Sequence, residues 1–264
     1  MNECIFKYFS NTSTCIYSLF LGYIIYYALD LFFLNPFTEL ASLTAKEENL
    51  IRTNLPFYKK LSEANKKKFK KRLIRFRSRK NIVFHEDVEK QEDIILLLSA
   101  TVAMLTLGMR DFMVLSIERI IIYPTEYYSQ FTRQNHYGEY NPGLKIAVFS
   151  AEHLLHGFKI PNDNINLAVH EFAHAISFNV MNKNSFASWS FTQGLRKLKR
   201  MYNSKIFMQE LKDTSYFRAY GRTNIHEFFA VAAENYIETP TIFKRDYPDL
   251  YRIMNRMLNF DFNT

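Results

Sequence analysis

Residues 164–180 read NINLAVHEFAHAISFNV, and the rest of the chain is best read outward from them. His170 and His174 are four apart, so on a helix their imidazoles lie on one face, one turn from each other. That geometry delivers two nitrogen ligands to a single zinc ion. Glu171 sits about 100° round the helix from His170. From there it can reach a metal-activated water and accept its proton without binding the metal. The HExxH pattern therefore encodes two ligands and one general base. Val169, Phe172, Ala173 and Ile176 give the helix a face to bury, and Asn162, Asp163 and Asn164 offer caps ahead of it. A helix is expected over about 164–180.

A zinc hydrolase site needs a third protein ligand, and composition narrows what it can be. The two cysteines, Cys4 and Cys15, both precede the main body, which excludes a cysteine-rich site and a disulfide framework. The candidates are Glu227, Glu234, His226, His153 and His156. A second helix is expected over 225–238, with Asn224 as N-cap and Thr239-Pro240 as the stop. Glu227 and Glu234 share a face of it but stand about 10 Å apart along the axis, so only one can touch a given metal. Asn224-x-x-Glu227 also resembles a capping box. Spacing alone leaves the choice open.

The remaining elements suggest an α+β domain. The segment 94–107, IILLLSATVAMLTL, is apolar all round and too short to span a bilayer easily, so it reads as a buried helix. RIIIY (119–123) and KIAVF (145–149) read as strands, punctuated by Pro124, Pro142 and Gly143. An extended peptide is expected to lie along the second strand by edge pairing.

Charge is concentrated in one element. Residues 59–80 hold twelve Lys/Arg and one acid, Glu63, a net +11, whereas the rest of the chain is net −3. A helix over 61–79, beginning near Ser62, puts Phe69, Leu73 and Phe76 on one stripe and the cations on its other faces. Those faces suit solvent or anionic headgroups; no aromatic-interleaved or zinc-finger pattern points to direct nucleic-acid binding. Residues 15–34, CIYSLFLGYIIYYALDLFFL, form a 20-residue apolar run with one charge, Asp30. Its length predicts a membrane anchor over 1–40 ahead of a domain over 41–264. The basic segment that follows favours a cytoplasmic body, with a soluble cytoplasmic protein as the alternative.

HEFAH, followed by a helix reading NxxEFFAVxxE and a TP stop, resembles the MtfA-type (Mlc titration factor A-like) zinc metallopeptidases. RFRSRKNIVF, RIIIYP and LKIAVFS stand in the matching order ahead of it, and the resemblance covers roughly residues 56–260. It implies a zincin-like domain with a small sheet that hydrolyses peptide bonds with one zinc ion. The ligands it implies are His170, His174 and Glu227, with Glu171 as base and Tyr220, in RAYGRTN, stabilising the oxyanion. Glu234 becomes a carboxylate that orients a histidine, with Asn224 supporting the site. The implied partners are a peptide or protein substrate and, by analogy, a transcriptional regulator that the protein sequesters. Two features depart from the family's namesake: Ser177 stands where an aspartate is found, and the N-terminal apolar run is extra.

Overall fold

A computed structural model describes residues 17–24, 42–110, 113–181 and 186–263. The chain divides into two units, residues 1–41 and 42–264. Of the first, residues 17–24 are helical. Among the described residues no helix is long and apolar enough to cross a membrane, so the expected anchor finds no support there. The remainder of the 15–34 run lies outside the described residues.

The second unit opens with α1 (Ala45–Asn54), closed by a full Thr44–Glu47 capping box, then the single turn α2 (Phe57–Lys60) and the basic helix α3 (Glu63–Arg77). Ser62 caps α3 by accepting from Asn65 N, and Phe69, Leu73 and Phe76 are fully buried along it. Strand β1 (Asn81–Phe84) leads to α4 (Gln91–Leu105), the apolar helix. It begins three residues earlier than the hydrophobic run, because Glu92 and Asp93 suit the positive end of a helix dipole.

The main sheet follows from β2 (Arg119–Tyr123), β5 (Gly138–Asn141) and β6 (Ile146–Ser150), in the order β1-β2-β6-β5. The strands β1, β2 and β6 are parallel, and β5 runs antiparallel to β6 at the edge. A hairpin of β3 (Tyr127–Ser129) and β4 (Gln134–His136) leads into that edge. The period-2 pattern buries Ile120 and Ile122 of β2 and Ala147 and Phe149 of β6.

Helices complete the unit: α5 (Ala151–Lys159), α6 (Leu167–Met181), α7 (Phe186–Tyr202), α8 (Lys205–Asp213), a 3-10 turn at Ala219–Arg222, α9 (Ile225–Glu238), α10 (Pro240–Asp246) and α11 (Pro248–Leu258). The buried Phe172 of α6 ties the layers together, with its ring 5.5 Å from Phe149 of β6 and 6.1 Å from Phe76 of α3. The result is a mixed α+β fold with a small sheet, and α6 lies between that sheet and α9.

Candidate metal centre

Helix α6 starts at Leu167, three residues later than the sequence suggests. The cap is Asn166, whose Oδ1 accepts from Val169 N at 3.1 Å. The three residues expected to cap do not, and Asn164 instead adopts a left-handed backbone with φ 61°. This turn is fastened to the far end of α9. Asn166 N donates to Glu234 Oε1 at 2.9 Å, and Asn164 N donates to Glu238 Oε2 at 2.8 Å. The start of the HExxH helix and the helix carrying Glu227 are thus held as one piece.

That coupling brings His170, His174 and Glu227 together. Glu227 Oε2 stands 3.0 Å from His170 Nε2 and 3.2 Å from His174 Nε2, and the two Nε2 atoms are 3.3 Å apart. These are the described residues that bring three candidate ligand atoms together. Four ligands about 2.0–2.1 Å from a tetrahedral zinc ion stand about 3.3 Å from one another. One triangular face of such a tetrahedron is therefore already in place, and the donor set fits a metal ion.

Glu227 and Glu234 need not compete, because they meet opposite edges of the same ring. Glu227 faces His170 Nε2, and Glu234 Oε2 lies 3.4 Å from His170 Nδ1. A carboxylate on the outer nitrogen fixes the tautomer and aims the other nitrogen inward. Glu234 is fully buried and is also paired with Arg218. Asn224 caps α9 by accepting from His226 N and Glu227 N at 2.9 and 3.1 Å. Only half of the capping box forms, since the Glu227 carboxylate turns to the histidines. His226 lines the cleft outside the cluster, and His153 and His156 lie on α5.

The electrostatics follow from this packing. Burial disfavours a charge on His170, but the bonds to Glu227 and Glu234 outweigh it and raise its pKa. Burial likewise works against the Glu227 carboxylate, and the two histidines overcome it and hold its pKa low. The cluster is thus set to hold positive charge at its centre. Glu171 is buried, and burial raises its carboxyl above the ordinary range. The Tyr220 ring sits 5.8 Å from that of His170, and burial followed by the nearby Glu227 charge raises its hydroxyl, keeping it a donor. Among the described residues Ser177 Oγ is buried with no hydrogen-bond partner.

The expected peptide strand is corrected by the sheet order. Both edges of β6 are occupied, by β2 and β5, so it has no free edge to offer. The edge strands of the sheet are β1 and β5, and β5 is the one that lies against α6. At Gly138 that strand closes on α6, where an added Cβ would lie 2.6 Å from Leu167 Cδ1 and 2.9 Å from Glu171 Oε1. Sequence reasoning missed Gly138, Arg218, Asn166 and Glu238. A glycine opening a strand beside a motif helix was the one available signal, since it marks a close backbone approach.

A histidine pair one turn apart, a carboxylate from a second helix and a buried glutamate beside them are a donor set that suits a metal ion, as in metal-dependent hydrolases. The chain belongs to the glucose-regulated metallo-peptidase M90 family, the MtfA family, whose family model matches residues 37–258. Its function is accordingly of metallopeptidase type. No curated protein matches the sequence at a significant level.

Proposed function

We propose that this chain is a zinc peptidase that uses His170, His174 and Glu227 as ligands and Glu171 as general base. The observation that carries the reading is the 3.0–3.3 Å triangle of ligand atoms. A zinc ion held there supplies the Lewis acidity that activates water and polarises a carbonyl. Glu171, with its raised pKa, takes a proton from the attacking water and passes it to the leaving amine. The Tyr220 hydroxyl donates to the carbonyl oxygen as charge develops there. Main-chain pairing along β5 aligns an extended peptide with these groups, and Gly138 lets that edge approach Glu171.

The test is Glu171→Gln. The variant is expected to bind zinc like the wild type and to lose peptide hydrolysis by about 10²–10⁴-fold. Undiminished hydrolysis would remove Glu171 from the mechanism. A purified protein that contains zinc, yet cleaves no peptide before or after chelation, would instead act by sequestering a partner such as a transcriptional regulator.

A further inference from the structure

Two hollows meet at the metal cluster, and their walls differ in chemistry. Both are lined by His136, Gly138, His170, Glu171 and Tyr220. The first, about 520 Å³, runs along α6 towards Ser177 and Met181 and has Glu139 and Glu227 in its wall. The second, about 410 Å³, opens at the Leu167 end of α6 and is walled by His153, His156, Arg218 and Asn135. The carboxylates lining the second hollow are Glu171 and Glu234. Both are buried, and Glu234 is already engaged by Asn166 N, His170 and Arg218. What the second hollow leaves open to a ligand is a set of N–H donors.

His153 is the best-fixed of these donors. Its ring stacks on Tyr137 with centroids 3.8 Å apart and 17° between planes. Ser150 Oγ already accepts from His153 N as the cap of α5, and it lies 3.0 Å from His153 Nδ1. The hydroxyl hydrogen is therefore free to go to Nδ1, which leaves the ring proton on Nε2 as a donor. His156 follows three residues later on the same helix, and Arg218, whose Nη2 is held by Glu234 and lies 3.3 Å from His170 Nδ1, brings the rest of its guanidinium.

Direction along the cleft is set by β5. The strand starts at Gly138 beside Leu167 and Glu171, and Tyr140 lies against Phe178, with rings 6.2 Å apart. It thus runs alongside α6 in the same sense. A peptide added antiparallel to β5, the slightly more stable pairing, runs from the first hollow across the cluster into the second. We infer that the second hollow binds a substrate carboxylate on the C-terminal side of the scissile bond, through His153, His156 and Arg218. The inference rests on the peptidase reading. The carboxylate has two possible sources, an acidic side chain and the peptide's own C-terminus.

Three N-terminally fluorescein-labelled, alanine-rich peptides test this. One has glutamine at its polar positions and an amidated end, one has glutamate in place of glutamine, and one has glutamine with a free C-terminus. Binding to zinc-loaded Glu171→Gln protein is read by anisotropy, with wild-type hydrolysis followed in parallel. At least one carboxylate-bearing peptide is expected to bind about 10-fold tighter than the neutral one, as a charge-assisted hydrogen bond implies. Which peptide gains identifies the source. His153→Phe combined with His156→Ala keeps a ring on Tyr137 and removes the two imidazole donors while leaving Arg218. It is expected to collapse the ratio towards one, with circular dichroism checking the fold. Equal affinity for all three peptides, no binding of any, or a ratio unmoved by the double variant overturns the inference. Carboxylate-dependent binding without wild-type hydrolysis upholds it and sinks the peptidase reading instead.

Discussion

Helices α6 and α3 both stand out in the sequence, one for a spaced motif and the other for its density of charge, and the fold uses them in opposite ways. On α6 a few polar groups converge: His170 and His174 meet Glu227, and Glu234 backs His170 from behind. On and around α3 the charges that are engaged go to different partners. Arg72 is buried and donates to the carbonyls of Thr106 and Met109, where α4 ends. Lys70 pairs with Glu48, Arg77 with Glu47 and Lys66 with Glu63. Lys80 donates to Val114 O and Ile117 O. Three of the segment's twelve cations, Lys70, Arg72 and Arg77, are thus mortar between α1, α3 and α4, and Lys80 ties the end of the segment to the stretch before β2. Spacing predicts chemistry because it aims groups at one point, whereas a charge count says nothing about where each charge ends up.

The contrast breaks most sharply if the α6 cluster is cut. Glu227→Ala is expected to take bound zinc from about one ion per chain to near none, read by elemental analysis, and to abolish hydrolysis. Lys67→Ala, at an exposed position of α3, is expected to leave the zinc content as it was. Equal metal content in both variants would remove Glu227 from the ligand set. A smaller step is Glu234→Gln. Removing the partner of a ligand's outer nitrogen typically costs 10–100-fold in metal affinity. A competition titration against a chromophoric chelator should give that range; an unchanged affinity would make Glu234 only a brace for Asn166 and Arg218.

For α3 the expected loss is stability rather than chemistry. Arg72→Met keeps the stem and leaves the Thr106 and Met109 carbonyls without their cation. Hydrogen bonds to charged groups contribute about 1.5–3 kcal/mol each, so urea unfolding should show a loss of about 3 kcal/mol. A loss below about 0.5 kcal/mol, the usual size for a surface change, would mean that the buried charge costs as much as it contributes.

Much of this was legible before the structure, and the parts that were not have physical reasons. The bounds of α9 were readable because Asn224 and Pro240 punctuate them, and β2 because RIIIY is rich in β-branched residues and ends at Pro124. The sequence GEYN hid β5. An edge strand half open to the cleft needs no hydrophobic alternation, and its Gly and Asn look like turn residues. The tie between Glu227 and Glu234 was unresolvable from spacing, because a helix projection places carboxylates on a face without showing that one imidazole presents a different nitrogen to each. The start of α6 was misread because three plausible caps precede Asn166, and only the contact with Glu234 selects it.

The smallest effect separates a charge that is used from one that is merely present. Lys80, at the end of the basic segment, is largely buried, and burial lowers its pKa to about 8, with Glu118 pulling weakly the other way. Because the folded pKa lies below the unfolded one, the charge costs stability wherever both states are protonated, at pH below about 8. Between about 8 and 10.5 the unfolded chain still holds the proton that the folded chain has released, so this group's contribution rises with pH. The stability of the wild type relative to Lys80→Met is therefore expected to grow between pH 7 and pH 9.5, by roughly 1 kcal/mol once solvent screening of the partly exposed amine is allowed for. A difference that is flat with pH would show that burial does not oppose the Lys80 charge, and a shrinking one would show that its bonds to Val114 and Ile117 depend on the charge more than burial opposes it.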